Sequence, residues 1–151
     1  GHHGSANFSR ALYSLTTTAP AQLSLAQRIP HIDDVAANQI AILHYLSPDD
    51  ASGTAFFRHR STGLESISAA QHEGYLAALT ADFARHGPPP ATYINGSTAI
   101  FEEIARFPAR YNRALIYRAN LLHCAALGAT PRLSADPLTG RLTVASFVAL
   151  E

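Results

Sequence analysis

The chain has no methionine, no tryptophan and no lysine, and one cysteine, Cys124, among its 151 residues. A single thiol excludes an internal disulfide framework and any metal site built from several cysteines. No apolar run approaches the ~18 residues of a transmembrane helix. No signal peptide is visible, and with the lone thiol this points to a cytoplasmic protein without a membrane partner. The absence of Met predicts that the chain begins downstream of its translation start. Gly1-His2-His3-Gly4-Ser5 reads as a tag remnant or a loop, so His2 and His3 are set aside from the site. There is also no excess of charge: 11 basic residues, all Arg, balance 11 acidic ones. A neutral chain projects no field that would gather nucleic acid or an anionic membrane.

What is present suits one globular domain over 1–151. The length matches the prior of ~150 residues per domain. A composition of 47% hydrophobic and 15% charged residues supports a core without staples. Homo-oligomer formation stays open.

Strand formers dominate Phe8–Thr18, Asn38–Ser47, Gly53–Arg60, Ala99–Phe107 (with EEIAR also compatible with helix), Arg113–Ala125 and Arg141–Leu150. Pro48-Asp49-Asp50 stops the second of these and suits a hairpin into the third. A kink is expected at Asn120. One helix stands out: Ser68-Ala69-Ala70-Gln71 has capping-box spacing, Tyr75, Leu76, Leu79 and Phe83 recur at helical spacing, and Gly87 followed by three prolines forbids continuation. Leu76, Leu79 and Phe83 are expected to pack this helix against the strands. The sum is a mainly β, mostly antiparallel protein with one flanking helix, as in a sandwich or barrel.

Chemistry concentrates first at Pro30-His31-Ile32-Asp33. On an extended segment His31 and Asp33 share a face, so an imidazole nitrogen and a carboxylate oxygen can bind one cation. His123 closes the apolar run Ala114–Leu122 and offers a second imidazole. Two His and one carboxylate make the facial triad that holds Fe(II) and leaves positions open for a bidentate co-substrate and O2. A 2-oxo acid bound this way presents a second carboxylate. Arg141 and Thr143 stand two residues apart on one strand face, and the guanidinium fork suits that carboxylate. Tyr45 adds a phenolic donor.

PHID, ILHYLSPDDASGTAFF, NRALIYRANLLHCA and GRLTVASF resemble the core of the Fe(II)/2-oxoglutarate-dependent oxygenases, most closely the prolyl-hydroxylase-like branch. Tyr45-Leu46-Ser47 and Gly53-Thr54-Ala55-Phe56 stand where that branch has Tyr-Leu-Asn and a Gly-Gly-x-Thr-x-Phe strand, with Ser47 replacing the Asn and Ser52-Gly53 the paired Gly. The chain also resembles DUF6445, a family of uncharacterised bacterial proteins, over roughly residues 6–151. The resemblance implies a double-stranded β-helix (a jelly-roll, cupin-like barrel), iron at His31, Asp33 and His123, and 2-oxoglutarate held by Arg141. It further implies a dioxygenase that decarboxylates 2-oxoglutarate to succinate while oxidising a small-molecule or peptide substrate. Three other readings stay open: a cupin-like barrel binding a small acid or sugar, a zinc hydrolase on the same triad, and a structural module.

Other residues carry plainer expectations. Asp34 should face away from the triad. His44 should be packed and hydrogen-bonded. His59, between Arg58 and Arg60, reads as a surface strand edge, with substrate contact as the alternative. His72 and His86 belong to the helix, His86 complementing its dipole. Cys124 should point away from the metal as a small buried apolar group. Asn112 and Arg113 either open a strand or reach the site mouth. Phe8, Tyr13, Phe56, Phe57, Phe107 and Phe147 read as core.

Overall fold

The computed structural model describes residues 4–47, 52–128 and 131–151. Its elements are β1 (Ala6–Leu15), β2 (Gln39–Tyr45), β3 (Gly53–His59), α1 (Ala69–His86), β4 (Phe101–Pro108), β5 (Ala114–Arg118), β6 (His123–Ala126) and β7 (Leu142–Leu150). The strands form two antiparallel sheets, ordered β1-β7-β2-β5 and β4-β3-β6. The expectation of a mainly β, antiparallel protein with one helix is met. Among the described residues no helix is long and apolar enough to cross a membrane.

Two local expectations are corrected. Pro48, Asp49, Asp50 and Ala51 lie outside the described residues, but the flanking strands do not form a hairpin. β2 pairs with β5 and β7, whereas β3 pairs with β4 and β6 in the other sheet. The run Arg113–Ala125 is not one strand either. It breaks at Ala119-Asn120, where the chain leaves β5 in one sheet and enters β6 in the other. A kink at Asn120 was the visible trace of this change of sheet.

Period-2 alternation sorts the three-stranded sheet into two faces. Ala55, Phe57, Cys124, Ala126 and Phe101 face α1 and form the main core with Ile67, Tyr75, Leu79 and Leu122. Full burial of a side chain such as Phe57 contributes ~1.5–3 kcal/mol. Thr54, Phe56 and His123 belong to the opposite face, toward the second sheet. There, Ala41, Ala119 and Phe147 form a smaller core with Tyr117 and Ala145. Three of these five side chains are methyl groups, too short to fill the space between sheets, and a cleft remains.

α1 starts as its capping box dictates: Gln71 Oε1 accepts the Ser68 N–H at 3.1 Å and the Ser68 hydroxyl at 2.8 Å. It ends at Gly87, whose φ of 79° suits a residue without Cβ. The buried stripe is Tyr75, Leu79 and Asp82, with Phe83 beside it. Leu76 is 46% exposed and does not dock the helix as expected. The stripe is turned by a polar contact. His59 is fully buried rather than at a surface edge. Its Nε2 lies 3.1 Å from Asp82 Oδ2, its Nδ1 2.9 Å from the Thr62 hydroxyl, and its ring edge meets Tyr75.

The aromatic residues divide. Phe56, Phe57 and Phe147 are buried, but Phe8, Tyr13 and Phe107 are exposed, Phe8 and Tyr13 by more than two thirds. β1 is an edge strand, and among the described residues no element covers its outer face.

Candidate metal centre

His31 and His123 form an isolated antiparallel bridge beside β6. Each N–H donates to the other's carbonyl at 2.9 Å. Such a pair points both side chains to the same face, and the two imidazole centroids lie 4.5 Å apart. Asp33 follows on the same face of its extended segment, while Ile32 packs in the opposite direction against the helix-side core. The Asp33 backbone is fixed by its N–H donating to the Ala119 carbonyl at 2.8 Å. Asp34 turns away, and its carboxylate accepts the Ala36 N–H. Cys124 also faces away, into the helix-side core, where burial pushes its thiol up to about 12.

The three candidate ligands converge. Asp33 Oδ1 is 3.8 Å from His31 Nε2, and Asp33 Oδ2 is 3.4 Å from His123 Nε2. One donor atom from each lies within 4.8 Å of the other two. Donors at ~2.1 Å from a common ion stand ~3.0–3.4 Å apart at angles of about 90–109°, so small side-chain movements complete a three-ligand face. The chemistry of the donor set also fits. His123 Nδ1 can only donate to the Leu121 carbonyl, 2.8 Å away, which leaves the lone pair on Nε2, the nitrogen 3.4 Å from Asp33 Oδ2. Burial holds the His123 imidazole below its ordinary range. His31, half open at the cleft mouth, is also lowered, by burial and by His123, against the pull of Asp33. Both rings are therefore neutral near pH 7, as ligands must be. The Asp33 carboxyl is raised, chiefly by burial, and opposed by the charges of His31 and Arg10.

Sequence reasoning did not single out Tyr117. Its hydroxyl lies 3.2 Å from His123 Nε2, and its ring stacks edge-on against Phe56 and His123. Burial raises its phenol. The signal was present in the alternation of β5, which turns Leu115 and Tyr117 inward and exposes Ile116.

A cleft of about 210 Å³ opens in front of the triad. Arg141, just before β7, and Thr143, Ala145 and Phe147, alternate residues along it, line one wall. Arg141 and Thr143 are both buried. Ser47 stations them: its hydroxyl accepts the Leu142 N–H at 2.7 Å and donates to the Gly140 carbonyl at 3.1 Å. The Arg141 guanidinium donates to Ser52 Oγ and the Gly53 carbonyl, both at 3.1 Å. Gly53 is required there, because a Cβ would meet the Phe107 carbonyl oxygen at 2.2 Å. Tyr45, expected to add a phenolic donor, is not among the residues that line the cleft. It is the neighbour of Thr143 on the adjacent strand. Its ring lies beneath Arg141, 5.7 Å from the guanidinium carbon, and its hydroxyl meets the Thr54 hydroxyl at 2.6 Å.

His44 and Asn112 pair with each other through Nε2 and Oδ1 at 2.9 Å. Asn112 adopts φ 60° in the turn before β5, a conformation Asn tolerates. Arg113 caps that turn through the Pro108 carbonyl. None of the three lines the triad cleft.

Neither the curated proteins nor the solved structures contain a match to this sequence. A family profile does match, over residues 2–148. The chain belongs to DUF6445, a family of unknown function.

Proposed function

We propose that this chain is an Fe(II)- and 2-oxoglutarate-dependent oxygenase of the prolyl-hydroxylase-like kind, built on a double-stranded β-helix. The observation that carries the reading is the convergence of His31, Asp33 and His123 on one face of a cleft whose wall continues to a buried arginine. Strand order supports the fold. With the His31 bridge counted as an eighth position beside β6, the sheets read β1-β7-β2-β5 and β4-β3-β6-His31. The chain then alternates between two four-membered sheets except at β3-β4, as in a jelly roll.

Bound iron would supply the activation of O2 that couples keto-acid decarboxylation to oxidation of a substrate C–H bond. The chain's own residues do the rest. His31, Asp33 and His123 hold one face of the ion and leave the other open. Leu121 fixes the His123 ring through Nδ1. Arg141, clamped by Ser52 and Gly53 and backed by Tyr45, takes the distal carboxylate of 2-oxoglutarate. Thr143 adds a hydroxyl on the same face. Tyr117 and Phe147 line the cleft and limit water at the site. The substrate is a small molecule or peptide.

Titration with Mn(II) as an iron surrogate, with and without 2-oxoglutarate, tests the reading. Metal binding that tightens 2-oxoglutarate binding, with succinate formed under Fe(II) and O2, is the expected result. Zinc retained on purification with no 2-oxoglutarate response identifies a hydrolase. Binding of a small acid without turnover identifies a cupin-like binder.

A further inference from the structure

We propose that Arg10 is an anion anchor at the outer rim of this cleft, and that the molecule to be oxidised carries a carboxylate or phosphate group that reaches it. Only the naming of that molecule as the oxidised reactant rests on the oxygenase reading.

The β1–β7 ladder is interrupted next to Arg10. β1 and β7 pair in register from Leu15↔Leu142 to Arg10↔Phe147, and then shift, so that Phe8 pairs with Val148 and Ser9 is extra. Ser9 closes this bulge by donating its hydroxyl to the Phe147 carbonyl at 3.2 Å. The bulge displaces Ala6–Phe8 and leaves Arg10 as the last residue of the in-register run, on the face of β1 that it shares by alternation with Leu12 and the cleft-lining Ser14.

The Arg10 side chain sits over the cleft wall. The Arg10 guanidinium carbon is 4.5 Å from the centroid of the Phe147 ring, and Phe147 lines the same cleft as the triad. Among the described residues Arg10 makes no ion pair and no side-chain hydrogen bond, although its charge reaches Asp33. Stacking on an aromatic face fixes the guanidinium plane and leaves its N–H edge for a planar bidentate acceptor. Arg10 opposes Phe147, and Phe147 is six residues from Arg141 on the same cleft wall. At ~3.3 Å per residue the two arginines stand about 20 Å apart, at opposite ends of the wall. The Arg141 end is assigned to the keto acid, so an anion at Arg10 belongs to the second reactant.

The test uses the whole, metal-free chain labelled uniformly with 15N, titrated with inorganic phosphate, with N-acetylglycine and with the neutral N-acetylglycinamide. The Arg10 Nε–H resonance should shift saturably with at least one anion and not with the amide. Saturation by phosphate alone assigns a phosphorylated reactant, and by N-acetylglycine alone a carboxylate. Backbone resonances of Ala145 and Phe147 should report at least 10-fold weaker binding in Arg10→Gln and several-fold weaker binding in Arg10→Lys. A shift that never saturates, or that is the same in Arg10→Gln, overturns the anchor. Repeating the titration with Mn(II) separates the two readings. If Mn(II) fails to broaden the His31 and His123 signals while the Arg10 shift still saturates, the oxygenase reading falls and the anion anchor stands.

Discussion

His31 and His123 exchange both backbone hydrogen bonds at 2.9 Å and thereby bring their imidazoles to within 4.5 Å of one another. The backbone rather than the side chains makes this pairing. Two imidazoles have little reason to gather under burial, and a charge on His123 would oppose protonation of His31, which lowers His31 further. The pairing is a strand register, and a register is strongly specified wherever one face is buried. Ile32 supplies that burial from the other side of the same segment.

Loss of a candidate ligand should therefore cost metal affinity without unfolding the chain. His31→Ala and Asp33→Asn should each weaken Mn(II) binding by more than the ~10–100-fold typical of removing an outer partner. His31 is exposed and its bridge is made by the backbone, so its thermal midpoint should hold. Calorimetric titration of Mn(II) checks both variants. Wild-type affinity in either would remove that residue from the metal centre. Affinity should also fall as the pH is lowered, because protons compete for the imidazoles.

Tyr117 gives a sharper discrimination. Its hydroxyl already occupies the lone pair of His123 Nε2 at 3.2 Å, so an incoming metal must displace it. Tyr117→Phe should retain Mn(II) binding, or strengthen it, while the lost hydrogen bond costs ~0.5–1.5 kcal/mol of stability. Abolished metal binding in Tyr117→Phe would mean that the phenol is itself a ligand.

Much of this was legible in the sequence, and the failures share a cause. The His31-x-Asp33 face, the capping box and the kink at Asn120 are local, decided within a few residues by strand pleat and helix geometry. The partition of strands between sheets is not local. Alternation says which residues share a face but not which sheet owns the strand, so β2 and β3 read as a hairpin. The buried face of α1 was misjudged at Leu76 because Asp82, a polar residue, is drawn inward by His59 from a strand in another part of the chain. Arg10 was invisible for the same reason: its place over Phe147 depends on the pairing of β1 with β7, at the far end of the chain.

The assignment of Arg141 leads to a separate prediction. A charge-assisted pair with a carboxylate contributes ~1.5–3 kcal/mol, so Arg141→Ala should weaken 2-oxoglutarate binding by roughly 10- to 100-fold. Arg141→Lys should recover only part, since an ammonium lacks the planar fork. Mn(II) affinity should be unchanged in both. Arg141 also joins β7 to Ser52 and Gly53, so both variants should lose stability. 2-Oxoglutarate affinity must be measured at a temperature where each is folded. An unchanged affinity in Arg141→Ala would show that the carboxylate is held elsewhere.

The His59–Asp82 contact predicts a pH dependence remote from the metal centre. Burial holds the His59 imidazole below its ordinary value near 6.5, and the Asp82 carboxylate only partly restores it. As the pH falls below about 6.5, the unfolded chain takes up a proton that folded His59 refuses. Stability therefore decreases with falling pH in this window, by at most ~1.4 kcal/mol per pH unit for one group, and the loss ends once the pH passes below the folded value. His31 and His123 contribute with the same sign and Asp33 with the opposite one, so the comparison must be made against a variant. His59→Gln should be less stable at pH 7.5 but should lose less on going to pH 5.5. Asp82→Asn removes the carboxylate that favours the charged ring, so its decline should continue to lower pH than that of the wild type. Urea unfolding at both pH values measures the difference. Parallel pH slopes for wild type and His59→Gln would mean that His59 takes up its proton in the folded state as readily as in the unfolded chain.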